Sequence, residues 1–574
     1  MSPSATGIRG FGKLGLMKLA RVREGLPGWK NVLLALLSAV LLVLAFPDFD
    51  LWWMAWFALV PLMWAPEREK ESISRATIVG WIFGTAFFFG SCWWLTFAPI
   101  TYAGFPPVVA YLLLFFAAAG AGIFPGIFAG VLAYLLRRFG SVAMLAAPFM
   151  WVATEFARYW ITGNNWNGLG YSQAFGGYFL RSASIGGAEL VSFILGVLNV
   201  VAYFVSVILL QVSGLGAKVL GSELKRENRP PGSFEFDDPG FSSKWKLLLT
   251  SIVLLSSIIA ASRLLTNATV PENVQIRDEG FRSVVAIQPN VPMSGLTYEK
   301  WQALRRRHVK LAESALAGIK YPNGFHLRST VVIFPESPMN FMYETDAETR
   351  AFIDGFARKN GVSVIFNSAE PDGEKAYFNS AVMVGPQGGE IAQYDKIYLL
   401  PFGESVPAPL RAIVPAFVGS FSYGSEYDLL PLGDAKGGVM ICFESHFGEL
   451  SREYVRHGAD VLIEMTNDGY LGPTPVLRQH LANAVFRAVE TNRPVLRVTN
   501  VGITAYINER GQVIDPAPSY TEDTRVWSVA KSDGSQTLYV RWGDWFAWVC
   551  VVVTMGLLLL GIGRRRMVAN GDQH

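Results

Sequence analysis

The sequence predicts a multi-pass helical membrane domain joined to an α/β domain outside the lipid, and two features of its 574 residues carry that reading. Charge is scarce and unevenly placed. Only 17% of residues are charged, against roughly 25% in an ordinary soluble protein. Ala76 through Leu136 contains no Asp, Glu, Lys or Arg, and from there to Ala217 only Arg137, Arg138, Glu155, Arg158, Arg181 and Glu189 occur. Beyond Arg282 the pattern changes to short β-branched runs separated by amphipathic stretches. A hydrophobic content of 51% excludes a disordered chain. A net charge of +3, from 49 basic against 46 acidic residues, gives no footprint for nucleic acid. The three cysteines, Cys92, Cys442 and Cys550, form neither a disulfide framework nor a CxxC metal pair, so neither a metal nor a cofactor is expected.

A hydrocarbon core of roughly 30 Å takes about 20 apolar residues of helix, because a backbone amide left unpaired in lipid costs several kcal/mol. On that criterion about eight transmembrane helices are expected, near Val32 to Phe46, Leu51 to Trp64, Ile78 to Pro99, Val108 to Leu136, Val142 to Trp160, Ala188 to Gln211, Leu247 to Ala261 and Trp545 to Ile562. The first two are short and meet at Phe46-Pro47-Asp48-Phe49-Asp50, as a tilted or partly inserted hairpin would. The first run also follows basic residues as the core of a signal peptide does, but no small-residue cleavage site comes after it.

Sidedness follows from Lys and Arg in the loops. Arg9, Lys13, Lys18, Arg21, Arg23 and Lys30 precede the first span. Arg68, Lys70 and Arg75, then Arg137 and Arg138, then Lys218, Lys225, Arg226 and Arg229 fall on the same side, and Arg564 to Arg566 end the last span. The alternate loops, Ile100 to Pro107 and Ile161 to Gly187, are nearly free of basic residues. Both termini are therefore expected in the cytoplasm, and the polar block between the last two spans on the opposite face, the periplasm of a bacterium. The expected organisation is a tail at 1–30, a membrane domain at 31–264, an extramembrane domain at 281–530, a final span at 541–563 and a second tail at 564–574.

The outer loop NNWNGLGYSQAF, Asn164 to Phe175, is rich in Gly, Asn and aromatics. Trp160, Trp166 and Tyr171 suit either an interfacial aromatic belt or contact with a lipid-like substrate. Glu155, Arg158 and Glu189, near span ends, read as interfacial or paired residues. Gly168-Leu169-Gly170 follows no strand and opens no βαβ unit, which argues against a nucleotide site.

In the polar block, SVVAIQPN, STVVIFPES, VSVIFNSA, SAVMVGPQGGEIAQYDKIYLL, GGVMICFES, ADVLIEMTND, PVLRVTNVG and TAYINERGQVI suit strands buried on both faces. Helical periodicity intervenes at Tyr298 to Ala317, Glu348 to Lys359, Phe447 to Gly458 and Val476 to Thr491. GPQGGE joins two strands and is a hairpin turn, not a phosphate loop.

Three strand ends carry candidate chemistry. VVIFPES puts Glu336 just past a buried strand, YDKIYLLPFGESVP puts Lys396 where a hairpin strand runs out with Glu404 in the following loop, and GGVMICFES puts Cys442 at a strand-to-helix turn with Glu444 two residues on. Polar residues at strand carboxyl ends converge on one crevice. A carboxylate, an ammonium and a thiol there suffice for acyl transfer: Glu336 takes the thiol proton, Cys442 attacks, and Lys396 with nearby backbone N–H groups holds the oxyanion. A free thiol in an oxidising compartment also needs a reason to be there. A Cys–His dyad is the competing reading, since His446, His457 and His480 follow the cysteine, but His446 lies in a turn and suits a capping or surface position. The histidines lack the spacing of a zinc site.

The blocks FPES, YDKIYLLPFGESVP and GGVMICFES, in that order, resemble the carbon-nitrogen hydrolase (nitrilase) superfamily with its Glu-Lys-Cys triad. FPDFDLWWMAWFALVPL, TEFARYWITGNNWNGLGYSQ and a final span after the α/β domain resemble the apolipoprotein N-acyltransferase family. The resemblance implies an α-β-β-α nitrilase-like sandwich, with Glu336 as proton acceptor, Lys396 stabilising the oxyanion and Cys442 the acylated nucleophile. It assigns supporting places to Glu404, Glu444 and Phe443, and possible substrate-lipid contact to Trp166. It also implies transfer of a fatty acyl chain from a phospholipid, through a Cys thioester, to the α-amino group of a diacylated apolipoprotein, by a monomeric enzyme of the inner membrane without a cofactor. Phe443 stands where the family often has Tyr, and Trp301 has no secure counterpart. The alternative is a membrane-tethered nitrilase-type amidase acting on a small C–N substrate.

Overall fold

The computed structural model describes residues 25–163, 165–213, 239–269, 282–319, 330–336, 341–373, 376–401, 403–406 and 421–571. The basic residues expected to set sidedness from Arg9 to Arg23 and from Lys218 to Arg229, and the side chains of Arg564 to Arg566, lie outside the described ones, as does Asn164.

Among the described residues the apolar half contains helices and turns and no strand. Five helical stretches among the described residues are long and apolar enough to cross a membrane: Ile73–Ser91, Pro107–Thr162, Leu180–Val212, Ser242–Ala268 and Trp545–Gly563. The principal helices are α1 (Trp29–Leu44), α2 (Val60–Arg68), α3 (Ile73–Ser91), α4 (Pro107–Phe139), α5 (Ala147–Thr162), α6 (Ala183–Val212) and α7 (Pro239–Thr269). The stretch from Pro107 to Thr162 is interrupted by a 3₁₀ segment at Gly140–Ala146, so it supplies both α4 and α5. The expected span at Leu51 to Trp64 is not one helix. Trp52–Trp56 is a 3₁₀ turn, and α2 starts only at Val60.

Backbone freed by that break needs partners wherever water is excluded. Asn199 of α6 supplies them: its Nδ2 donates to the Ala55 carbonyl at 2.8 Å, and its Oδ1 accepts from Leu59 N at 2.8 Å. The kink in α6 is handled alike. Gly186 and Gly187 leave helical geometry, with Gly187 at φ +71°. The freed Ile185 carbonyl then accepts from Trp545 Nε1 at 2.9 Å, and Ala188 N donates to Glu490 of the α/β domain at 3.1 Å.

Small residues let α3 and α4 approach closely, as helices in lipid do when packing rather than hydrophobicity drives association. Gly80 and Gly84 on α3 face Gly126 and Gly122 on α4, and Gly130 faces Thr77; a Cβ on Gly84 would meet Gly122 Cα at 2.8 Å. At one end of the bundle Glu69 accepts from Gly28 N and Asn31 Nδ2 and pairs with Arg75 at 2.7 Å, while Arg137 lies 3.7 Å from Glu71. The basic loops that the described residues include are therefore grouped there, and the α/β domain sits on the loops at the other end.

That domain is a four-layer sandwich. Its strands are β1 (Arg282–Gln288), β2 (Val331–Ile333), β3 (Ser363–Asp372), β4 (Ala376–Val384), β5 (Glu390–Asp395), β6 (Phe421–Ser422), β7 (Leu429–Leu432), β8 (Ala435–Ile441), β9 (Val461–Thr466), β10 (Val495–Thr499), β11 (Ala505–Ile507), β12 (Val513–Ile514) and β13 (Asp523–Val529). One sheet runs β13-β1-β2-β3-β4-β5, with β6 also on β4; the other runs β12-β11-β10-β9-β8-β7. Each has a parallel centre, β1-β2-β3 and β8-β9-β10, with antiparallel flanks apart from the short β6, which runs parallel to β4. Along β1 the two-residue period divides the core: Val284 and Ala286 join the layer between the sheets, and Val285 and Ile287 face the helices α8 (Tyr298–Gly318) and α9 (Ala347–Asn360). Helices α10 (Gly448–Arg456) and α11 (Val476–Thr491) pack with the second sheet. The chain then enters α12 (Trp545–Gly571). Sequence patterning finds the four domain helices and most strands but misses β6, which is two residues long, and the edge strands β7 and β13, which have exposed positions.

Candidate active site

The three strand ends meet. Glu336 leaves β2 after Phe334 and Pro335, and its Oε2 accepts from Asn467 N at 3.1 Å. Lys396 follows β5 directly; its N–H donates to the Asn379 carbonyl at 2.9 Å, and its own carbonyl accepts from Gly424 N at 2.8 Å, so the strand end is clamped from both sides. Lys396 is 1% exposed. Its Nζ lies 2.8 Å from Glu404 Oε1 and 3.8 Å from Glu336 Oε1. Asn379 Nδ2 bridges the same carboxylates, at 2.6 Å from Glu404 and 3.4 Å from Glu336. Glu404 Oε2 accepts from Leu400 N at 2.7 Å, which ties its loop down.

Cys442 opens a 3₁₀ turn, Cys442–His446, at the end of β8, with φ +53°. A non-glycine residue in this left-handed region costs on the order of 1–3 kcal/mol and persists only where its surroundings hold it. Glu444 is the main holder. Its Oε2 accepts from Ile441 N at 2.8 Å, and its Oε1 from Ile397 N at 2.7 Å, Tyr398 N at 3.0 Å and Tyr394 Oη at 2.7 Å. One buried carboxylate thus joins the cysteine's turn to the strand end bearing Lys396. Burial pushes Glu444 up to about 7, against the lowering effect of Lys396 and of these donors.

The electrostatics separate three roles. Burial, then the negative charge of Glu336, pushes the Cys442 thiol well up, with Lys396 acting the other way. The resting sulfur is therefore a neutral thiol that needs a base. Glu336 is the carboxylate whose charge acts on that thiol. Burial raises its pKa, Lys396 lowers it and Glu404 raises it again. Burial alone would lower Lys396, but Glu404 and Glu336 outweigh it and raise it, so the ammonium is permanent. A base beside the thiol and a fixed cation can form a thioester: the base accepts the proton as sulfur attacks a carbonyl, and the cation meets the oxygen where charge develops.

Behind the cysteine lies a buried ionic cluster that sequence reading did not assemble. His480 Nε2 is 3.1 Å from the Cys442 carbonyl oxygen, 3.0 Å from Ser445 Oγ and 3.2 Å from Glu464 Oε1, and its Nδ1 is 2.7 Å from Asp468 Oδ1. Arg497 pairs with Glu464 at 2.5 Å and Asp468 at 2.9 Å. Burial would lower His480, but Asp468 chiefly raises it, to about 9, so the ring is an imidazolium with two donors. It faces the cysteine's backbone carbonyl, which does not suit a Cys–His dyad. Glu464 and Arg497, charges inside otherwise apolar strands, were the available signal.

His446 is not the surface residue expected of it. It is 6% exposed, its ring stacks on Trp166 at 4.3 Å between centroids, and Asn483 Nδ2 lies 2.8 Å from its Nδ1. Trp166 itself is half-buried and packs against Trp94 at 5.1 Å. Phe443 stacks on His446 and meets Phe447 edge-on, an apolar wall beside the thiol. Trp301 lies half-buried on α8, in the outer layer of the sandwich. Glu155 and Arg158 turn inward: Glu155 accepts from Leu169 N at 2.7 Å, and Arg158 donates to the Trp166 carbonyl at 3.0 Å and Asn165 Oδ1 at 2.8 Å, holding the 165–169 loop over the α/β domain.

Comparison with known proteins agrees with both halves. Residues 38–201 match the apolipoprotein N-acyltransferase N-terminal domain family, and residues 305–537 match the carbon-nitrogen hydrolase family. The apolipoprotein N-acyltransferase of Geobacter metallireducens is 31% identical over 547 residues, covering 93% of this chain and 96% of that protein. That of Methylococcus capsulatus is 29% identical over 582 residues, covering 95% and 98%. Among solved structures, a nitrilase-superfamily protein of Saccharomyces cerevisiae aligns with 16% identity and a TM-score of 0.33, covering 43% of this chain and 90% of that one. With a relative this similar along nearly its whole length, the chain belongs to the apolipoprotein N-acyltransferase family.

Proposed function

We propose that this inner-membrane acyltransferase moves a fatty acyl chain from a phospholipid to the α-amino group of a diacylated apolipoprotein, through a thioester on Cys442. The observation that carries the reading is the convergence of Glu336, Lys396 and Cys442 in one crevice on the membrane-facing side of the sandwich. In the first half-reaction Glu336 takes the thiol proton as sulfur attacks the ester carbonyl. Lys396 and the Phe443 N–H hold the oxyanion, and its collapse expels the lysophospholipid oxygen, which receives the proton from Glu336. In the second, the amine attacks the thioester, Glu336 takes its proton, and collapse returns that proton to the departing sulfur. Glu404 keeps Lys396 in place and Glu444 keeps the two strand ends together. Both substrates keep their acyl chains in lipid; withdrawing one into water, at ~0.8 kcal/mol per CH₂, would cost on the order of 10 kcal/mol.

The reading extends to topology. The α1–α2 hairpin, α3, α4, α5, α6, α7 and α12 make eight crossings if the hairpin inserts fully and six if it does not, and either even count leaves both termini on the same face. The grouping of Arg75 and Arg137 at the end away from the α/β domain supports a periplasmic site under the positive-inside rule. The domain boundaries at 31–264, 281–530 and 541–563, the monomeric state and a lipid contact at Trp166 belong to the same proposal.

Intact-protein mass spectrometry tests it: incubation with phospholipid alone should add one fatty acyl group to the wild type and none to Cys442→Ala. N-acylation of a diacylated lipopeptide that survives in Cys442→Ala refutes the mechanism. A cysteine reporter placed between Glu272 and Asp533 should be labelled from outside the inner membrane, and labelling only after permeabilisation refutes the orientation. A membrane-tethered amidase would leave the match of residues 38–201 without a purpose.

A further inference from the structure

Two adjacent residues of α11 reach in opposite directions. Gln479, 4% exposed, points to the membrane domain. Its Nε2 donates to the carbonyls of Pro47 at 3.1 Å and Ser91 at 3.0 Å, and its Oε1 is approached by Trp94 Nε1 at 3.0 Å, Trp166 Nε1 at 2.9 Å and Asn167 Nδ2 at 3.2 Å. A side-chain amide has two donors and two acceptor lone pairs. All are engaged here, by the loops that follow α1, α3 and α5. His480 points the other way, with Nε2 on the Cys442 carbonyl and Nδ1 on Asp468. The Cys442 carbonyl and the Phe443 N–H belong to one peptide plane and point in opposite directions. Whatever fixes the first therefore aims the second. Trp166 links the two ends again, since it donates to Gln479 and stacks on His446 of the cysteine's turn.

We propose that Gln479 and His480 are a positioning pair: Gln479 registers three membrane-domain loops on α11, and His480 passes that register to the peptide plane after Cys442. The aim of the Phe443 N–H and the reactivity of the thiol then depend on how those loops are seated. The pair touches neither substrate nor reacting atom. The inference rests on Cys442 being the nucleophile.

The test uses the full-length protein in phospholipid nanodiscs, with Gln479→Met, which keeps volume and loses all five contacts, His480→Gln, and the double variant. Two readouts are taken: single-turnover thioester formation from phospholipid, and the pH–rate profile of Cys442 alkylation by iodoacetamide. Alkylation requires no acyl transfer, so it still reports if the acyltransferase reading fails, an outcome that Cys442→Ala shows separately. Gln479→Met should lower the saturated thioester rate about tenfold with KM unchanged, the effect of roughly one hydrogen bond. It should also displace the alkylation profile in the same direction as His480→Gln, and the double variant should be no worse than His480→Gln alone. An alkylation profile superimposable on wild type, a rise in KM without loss of rate, or a double variant whose loss is the product of the single losses would each overturn the proposal. Should Gln479→Met fail to fold, Trp94→Phe removes one donor while keeping a smaller aromatic ring in its place: a smaller fall in rate with the same displacement supports the pair, and an unchanged profile overturns it.

Discussion

Glu444→Gln is the sharpest single perturbation of the site, because its cost follows from four hydrogen bonds. The carboxylate receives Ile397 N, Tyr398 N and Tyr394 Oη on one oxygen and Ile441 N on the other. An amide of the same shape has one acceptor oxygen. If that oxygen serves the three donors on the Lys396 side, the NH₂ group meets the Ile441 N–H, donor against donor. A buried donor left unpaired costs about 1–3 kcal/mol, and losing charge assistance adds to it. A total of about 2–4 kcal/mol is expected, enough to lower the unfolding midpoint by about 5 °C or more. The bonds lost are those that join the cysteine's turn to the Lys396 strand, so the rate of thioester formation should fall about 10- to 100-fold while phospholipid binding holds. Single-turnover mass spectrometry of the acyl-enzyme, beside thermal unfolding in detergent, measures both. A variant within twofold of wild type in rate and with the same midpoint would refute the claim that Glu444 joins the two strand ends.

Three further outcomes are expected. Lys396→Met should cost roughly 10²–10³ in acyl-transfer rate; removing the ammonium that lowers Glu336 should also move the acidic limb of the pH–rate profile, where the base must be ionised, to higher pH, and an unmoved limb would count against the pairing. The folded-state pKa of His480, about 9, exceeds the ordinary value of 6.5, so its contribution to stability is complete below pH 6.5 and is lost as pH rises through about 9. Unfolding midpoints measured from pH 6 to 10 should show that loss in the wild type but not in His480→Gln. Gly84→Leu should sharply reduce the yield of monodisperse protein in size-exclusion chromatography, because its Cβ already falls 2.8 Å from Gly122 Cα and α4 cannot give way without leaving α3.

The legible part of this protein is the part written locally. Helix α11 occupies the residues that periodicity marks, and Glu336, Lys396 and Cys442 fall at strand ends as their flanking patterns indicate. Membrane spans are legible in their apolarity but less so in their continuity. The break between Leu51 and Val60 is stabilised by Asn199, a residue that reads as one more position in an apolar run. The edge strands are obscured for a related reason: β13 pairs with β1 across the whole domain, and its exposed positions blur the two-residue period.

The polar groups that complete the site are illegible because their meaning is pairwise over long separations. Trp94 and Gln479 are 385 residues apart. Glu464 and Arg497, met singly in apolar strands, look like faults in a core; only the fold shows that they, Asp468 and His480 neutralise one another. A cluster of this kind is expensive to bury and adds little net stability over a well-packed apolar replacement. Its retention behind a strained cysteine therefore points to geometry as the gain: it supplies a donor aimed at the Cys442 carbonyl, where no apolar side chain could hold that peptide plane. The membrane half enters the same account. Through Gln479 its loops bear on the helix that carries this donor, so the apolar part of the chain is part of the apparatus that holds the thiol as well as its anchor.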